Sequence, residues 1–207
     1  MSHMLRLPFP SFARSPRAAA RFLSLATIAL VTALMGSVAT ARADDAAVKF
    51  MRKAAAALVK AQREGSQAAF ERVVRSYGHV PAIGLYALGS YRRGLTRSDR
   101  RSYYKGLAKF IGRYAAQEAP KYPVAKVKFA PTSLRDGRSV MVDSQVILTN
   151  GSTYDVRWML IPNRSTFKVR DAQVLSFWVS PFLQRLFENY ISENGGRVRN
   201  LVMALNR

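Results

Sequence analysis

Residues 139–161 read SVMVDSQVILTNGSTYDVRWMLI, and the alternation within them decides the fold. In the first half Val140, Val142, Val146 and Leu148 share one face of an extended chain, and in the second half Tyr154, Val156, Trp158 and Leu160 do. A period of two predicts paired antiparallel strands turning at Asn150-Gly151. A two-residue loop would set Val146 against Asp155 and mix the faces. A three- or five-residue loop, pairing Leu148 with Tyr154, Val146 with Val156, Ser144 with Trp158 and Val142 with Leu160, keeps one face apolar except at Ser144. The expectation is an odd-length loop with Gly151 at its positive-φ position. Small Ser144 opposite large Trp158 leaves space above the sheet, for a ligand or for the indole ring itself.

The same period marks strands at 124–130, 139–149, 153–161 and 167–174, so the second half of the chain reads as an antiparallel meander. Upstream the apolar period lengthens to that of a helix. Residues 46–63 place Val48, Met51, Ala55, Leu58 and Val59 at three- and four-residue steps, and Gly65-Ser66 separates them from a second helix over 67–76. Segment 82–91, AIGLYALGSY, carries no charge, which suits a core element or a ligand wall. Gly84 and Gly89 inside it suggest a close backbone approach. A helix over 99–118 gathers Tyr103, Tyr104, Leu107, Ala108, Ile111, Tyr114 and Ala115 on one face. After the sheet, Phe177 to Phe182 lead into a helix over 183–192, and a last short helix spans 198–205.

Residues 1–43 have the layout of a cleavable secretory leader: basic Arg6, Arg14, Arg17 and Arg21, an apolar run from Phe22 to Val38, then Ala41-Arg42-Ala43. The chain from 44 to 207 is long enough for one domain. Beyond that leader it keeps 28 of the 33 basic residues and all 12 acids, a formal charge near +16. For an exported protein this favours anionic lipid headgroups and acidic protein surfaces over nucleic acid.

The sequence holds no cysteine, so disulfides, thiol nucleophiles and cysteine-ligated metals are excluded. His79, in Gly78-His79-Val80-Pro81, has no acidic residue within six positions and reads as a polar turn residue. No phosphate-binding glycine loop, metal-binding histidine pair or nucleophile elbow occurs. Asp143 and Asp155 can approach each other on the hairpin's polar face, where solvated surface is the simpler reading. Large apolar side chains remain in excess, with 11 Phe, 9 Tyr and 2 Trp.

From about residue 45 to 206 the chain resembles the Mla-type periplasmic phospholipid-binding proteins, also called toluene-tolerance or auxiliary-transport-component proteins. The resemblance lies in Leu88-Gly89-Ser90-Tyr91, in Leu95 to Tyr104, in Tyr154-Asp155-Val156-Arg157-Trp158, in Phe167-Lys168-Val169-Arg170-Asp171-Ala172, and in Asn194-Gly195-Gly196 with Leu201 and Leu205. Phe167 stands where Trp is usual, Arg100 and Arg101 stand around the usual Gln-Arg pair, and Leu175-Ser176-Phe177-Trp178 replaces a glycine-containing turn.

The resemblance implies an α+β fold, a helical layer packed on a curved antiparallel sheet of about four strands, with a lipid cavity between them. It implies a carrier, not an enzyme, without cofactor or metal. Its ligand would be a phospholipid or, as in a subgroup sharing the pattern, a hopanoid. Its partners would be an outer-membrane lipoprotein–porin complex and an inner-membrane ABC transporter with MCE-type rings, and no nucleic acid. On this reading the lipid-binding walls are Val80, Ile83, Leu85, Leu88 and Tyr91 from the uncharged segment, and Tyr104, Leu107 and Ile111 from the next helix. The sheet adds Val142, Val146, Tyr154, Val156, Trp158 and Leu160, and the segment beyond it Phe177, Trp178 and Phe182. Trp158→Asp or Leu107→Asp is then expected to remove lipid from a folded protein. The other readings are a basic secreted module binding anionic surfaces and a small-molecule enzyme.

Overall fold

Asp45 caps the first described helix. Its Oδ1 accepts hydrogen bonds from the amides of Ala47 (2.9 Å) and Val48 (3.2 Å), while Oδ2 accepts from the Ser133 amide and hydroxyl, both at 2.7 Å. In the computed structural model, which describes residues 45–207, helix α1 runs from Ala46 to Glu64 and ends on Gly65 at φ 65°. Ser66 caps α2 (Gln67–Tyr77), and His79 caps α3 (Val80–Ala87) by accepting the Ala82 amide at Nδ1, 3.1 Å away. His79 is thus the polar turn residue the sequence suggested. The leader expected at 1–43 lies outside the described residues.

Burial pushes the Asp45 carboxyl up, but the hydrogen bonds from Ser133, Val48 and Ala47 together outweigh it and hold it below its ordinary value of 3.8. A carboxyl lowered by folding stabilises above its unfolded pKa, and that stability is lost as pH falls through the folded value. Asp45→Ala is expected to cost about 1–2 kcal/mol at neutral pH. Urea melts checked at pH 7 and near pH 3 should show the gap between the two proteins shrink in acid.

The uncharged segment does not run on as one helix. It ends at Ala87, and Gly89, at φ 49°, turns the chain into a 3₁₀ turn over Gly89–Gly94. Helix α4 (Arg100–Glu118) follows, and a short 3₁₀ turn (Ala119–Lys121) leads to the sheet.

The sheet has six strands, not four: β1 (Val124–Phe129), β2 (Leu134–Asp136), β3 (Ser139–Leu148), β4 (Thr153–Asn163), β5 (Thr166–Val174) and β6 (Phe177–Trp178). It is open and antiparallel, in the order β1-β3-β4-β5-β6, with β2 pairing β3. The four long strands are those visible as alternation. The two short ones have too few residues to show a period.

The Leu148 amide donates to the Ser152 carbonyl at 2.8 Å and closes a three-residue turn over 149–151 with Gly151 at φ 84°, the odd length expected, but the register differs by two residues. Val146 pairs with Tyr154, Ser144 with Val156, Val142 with Trp158 and Val140 with Leu160. A shift of two preserves the face of every side chain, so pattern alone cannot distinguish the registers. The space over Ser144 is taken by the Trp158 ring, whose Nε1 donates to the Ser144 hydroxyl at 2.9 Å.

A bulge in β5 opposite Met159 and Leu160 places Val169 and Ala172 on the same inner face and leaves Arg170 and Asp171 between them. Two further elements complete the fold, α5 (Val179–Glu193) and α6 (Val198–Leu205). Helix α5 starts four residues earlier than the sequence reading. Pro181 is tolerated in its first turn, and Asp171 accepts the Ser180 amide at 3.0 Å.

Two main cores result. Val48, Met51 and Ala54 of α1 pack on Val142 and Leu160 of the sheet, and a helical core gathers Leu88, Tyr103, Leu107, Phe187, Ile191 and Leu201. The Tyr103 hydroxyl, fully buried and pushed up in pKa by that burial, stays a neutral donor to the Gly84 carbonyl at 2.7 Å. Among the described residues no helix is long and apolar enough to cross a membrane.

Candidate functional site

Helices α3, α4 and α5 meet β5 around an apolar cavity of about 210 Å³. Helix α3 contributes Ile83, helix α4 Phe110, Ile111 and Tyr114, strand β5 Val169, Arg170, Asp171 and Ala172, and helix α5 Val179, Ser180, Phe182, Leu183 and Leu186. These side chains converge because α4 turns one stripe toward α3 and α5, while the β5 bulge keeps Val169 and Ala172 on the helix-facing side.

The few polar groups in the wall satisfy each other. Asp171 Oδ1 accepts the amides of Ala172 (2.8 Å) and Ser180 (3.0 Å), and Arg170 Nη1 donates to the Ser180 hydroxyl at 3.1 Å. The Arg170 guanidinium lies 4.9 Å from the centre of the Tyr86 ring. Among the described residues no carboxylate stands within ion-pair distance of it. What the cavity offers is therefore a greasy interior with one unneutralised cation in its wall.

Its rim is also apolar. Tyr86, Tyr114, Val179, Phe182 and Leu186 are all exposed, a patch of the kind that marks a binding site.

A second apolar cavity, of about 200 Å³, lies between α1, α2 and the sheet. Leu58, Val59, Phe70, Val127, Val146, Val156 and Trp158 line it, and it shares no residue with the first. Gln62 in its wall is fully used, donating to the Ala119 and Tyr122 carbonyls and accepting the Val124 amide. A larger hollow of about 840 Å³ is only an open depression lined by Lys128, Asp143, Asp155 and Arg157. There Asp143 makes two bonds to Arg157, at 2.7 and 2.9 Å, and that guanidinium holds its carboxyl below the usual range. Asp143 is thus an ion-pair partner, not half of a carboxylate pair. Among the described residues no acid or histidine cluster could hold a metal ion.

The proposed wall residues divide among several places. Ile83, Ile111 and Phe182 line the first cavity, and Val146, Val156 and Trp158 the second. Val80, Leu88 and Leu107 are buried in the helical core, and Val142 and Leu160 beneath α1. Leu85, Tyr91 and Tyr104 pack half-buried against the helical core, Tyr154 meets Tyr122 edge-on, and Trp178 is half-buried in β6. Phe177 is exposed. Leu107→Asp would therefore bury an unpaired charge in solid core and unfold the protein before it reported on a ligand. Phe110, Ala172, Val179 and Leu186 also line the first cavity and are not among the expected walls: Val179 precedes the helix read from 183, and the others sit on recognised elements whose neighbours come from elements far away in sequence.

A family model described as "MlaC protein" matches residues 42–207. The chain belongs to the MlaC family. Among solved structures, this MlaC-family chain is similar to a phospholipid-binding protein from Ralstonia solanacearum, determined in complex with a phospholipid. The TM-score is 0.61 at 20% identity, over 78% of this chain and 95% of that one. The likeness shows a shared α+β fold with an open antiparallel sheet. Among curated proteins none matches. Membership of the MlaC family points to a binding protein.

Proposed function

We propose that this MlaC-family protein is a lipid carrier, holding acyl tails in the cavity between α3, α4, α5 and β5. The observation that carries this is the apolar cavity opening through an apolar rim. Each buried methylene contributes about 0.8 kcal/mol, so a few dozen tail carbons supply affinity without a dedicated charged anchor. The cavity, at about 210 Å³, is smaller than the roughly 300–1,000 Å³ of ordinary ligand pockets. Loading a lipid therefore requires α4 and α5 to move away from β5. Arg170, unneutralised in the wall, would meet the lipid phosphate at the mouth.

The Ralstonia protein's phospholipid and the family membership support this reading, as does the formal charge. Exported by its leader, the protein would shuttle lipid through the periplasm between an outer-membrane lipoprotein–porin complex and an inner-membrane MCE-bearing ABC transporter. Native mass spectrometry of protein purified from its cells, followed by organic extraction, tests the reading. A phospholipid at near one-to-one ratio is expected. A ligand-free mass for folded protein would overturn it.

A further inference from the structure

Strands β5 and β6 are joined by Leu175 and Ser176 alone, since Val174 pairs with Phe177 and Gln173 with Trp178. Both turn residues have positive φ, 49° and 67°, the geometry of a hairpin turn that favours Asn-Gly. A bulky residue in this region is an outlier, and it gains little burial in return: Leu175 is 63% exposed and its neighbour Phe177 78%. For the isolated protein in water, both the strain and the exposed apolar surface are liabilities, and strained backbone of this kind concentrates at functional sites. The tip is continuous with the cavity. From Phe177 the exposed apolar residues run on through Val179, Phe182 and Leu186, which also line it.

We infer that the Leu175–Phe177 hairpin is a docking tip that inserts into the headgroup region of an anionic phospholipid bilayer. Shape favours a bilayer: a convex two-residue tip needs a matching groove in a protein but no particular shape in lipid. Charge favours it as well. Residues 172–187 contain no acid and one base, Arg185. Of the acids nearby, Asp171 is tied to backbone amides, Glu188 to Ser90 and Asp143 to Arg157, while Asp155 shares the hollow beside Leu175 and Ser176 with Lys128. Once the tip is inserted, an acyl chain can pass between bilayer and cavity along Phe177, Val179 and Phe182 without crossing water. This use rests on the carrier reading, while the docking itself does not.

The test is flotation of the purified protein with vesicles of phosphatidylglycerol and phosphatidylcholine in equal parts, against vesicles of phosphatidylcholine alone. The wild type is expected to float with the anionic vesicles. Phe177→Ser should reduce the bound fraction about tenfold. A second variant, Leu175→Asn with Ser176→Gly, relieves the turn strain, so it should melt at a higher temperature yet float as poorly. Wild type that stays in solution, or variants that float as well as it does, would overturn the inference. So would wild type that ignores vesicles while Phe177→Ser impairs lipid delivery to a membrane protein complex, since the occupant is then a protein. Lipid content of the same samples by native mass spectrometry separates the two readings: lipid-loaded protein that never floats overturns the docking alone, and lipid-free protein overturns the carrier.

Discussion

Ala172→Trp is expected to empty the protein of lipid while leaving it folded. Ala172 sits on β5 opposite Trp158 of β4 and forms part of the cavity wall beside Ile83, Ile111 and Leu183. A Trp side chain, the largest of the aromatic residues, would project its ring into that cavity of about 210 Å³ and take space the ligand needs. Overpacking a filled core costs about 1–3 kcal/mol, but here the ring enters existing space, so the stability change should lie at or below the low end of that range. Lipid occupancy should fall at least about tenfold, since displacing even two or three methylenes forfeits about 2 kcal/mol. Native mass spectrometry with a thermal melt of the same sample checks both halves. A folded variant with undiminished lipid would move the site to the second cavity, beside Phe70, Val146 and Trp158.

Gly112→Val is expected to be among the most destabilising single changes in the helical layer. A Cβ at Gly112 would lie 2.8 Å from the Glu71 backbone nitrogen and 3.0 Å from its Cα, where α2 crosses α4. Backbone cannot rotate aside as a side chain can, so the helices must separate. At Gly84 the nearest atoms, 2.9 Å away, belong to the side chains of Tyr103 and Leu107, which can give a little. Replacing glycine inside an ordinary exposed helix gains up to about 1 kcal/mol in propensity. The sign therefore discriminates: a cost of about 3 kcal/mol, or about 6–12 °C in melting temperature, is expected, and a gain would mean the helices do not approach so closely.

The order and type of the elements were legible because burial writes a period into the chain. Alternation at 139–161 specified two strands and an odd-length loop, and the helical stripe at 103–115 specified α4. Strands β2 and β6 were not legible, since three and two residues carry no period. Gly106 and Gly112 within α4 gave no hint that each admits a neighbouring helix, because a close approach is a property of both partners and sequence shows one at a time.

The candidate site divides along the same line. Composition and spacing by themselves determined that helices in the first half of the chain are followed by an antiparallel meander, and that cysteine chemistry is excluded. Period tells whether a side chain faces inward. It does not tell whether that side chain meets a neighbour or a void, and so Leu107 and Ile111, on one stripe of one helix, ended in solid core and in a cavity wall. Only the tertiary structure decided that, together with the two-residue register of β3 on β4, the bulge that leaves Arg170 at the cavity, and the strained exposed tip at Leu175–Phe177. Each depends on how elements distant in sequence come to rest against one another, and the spacing of residues along one element does not encode that contact.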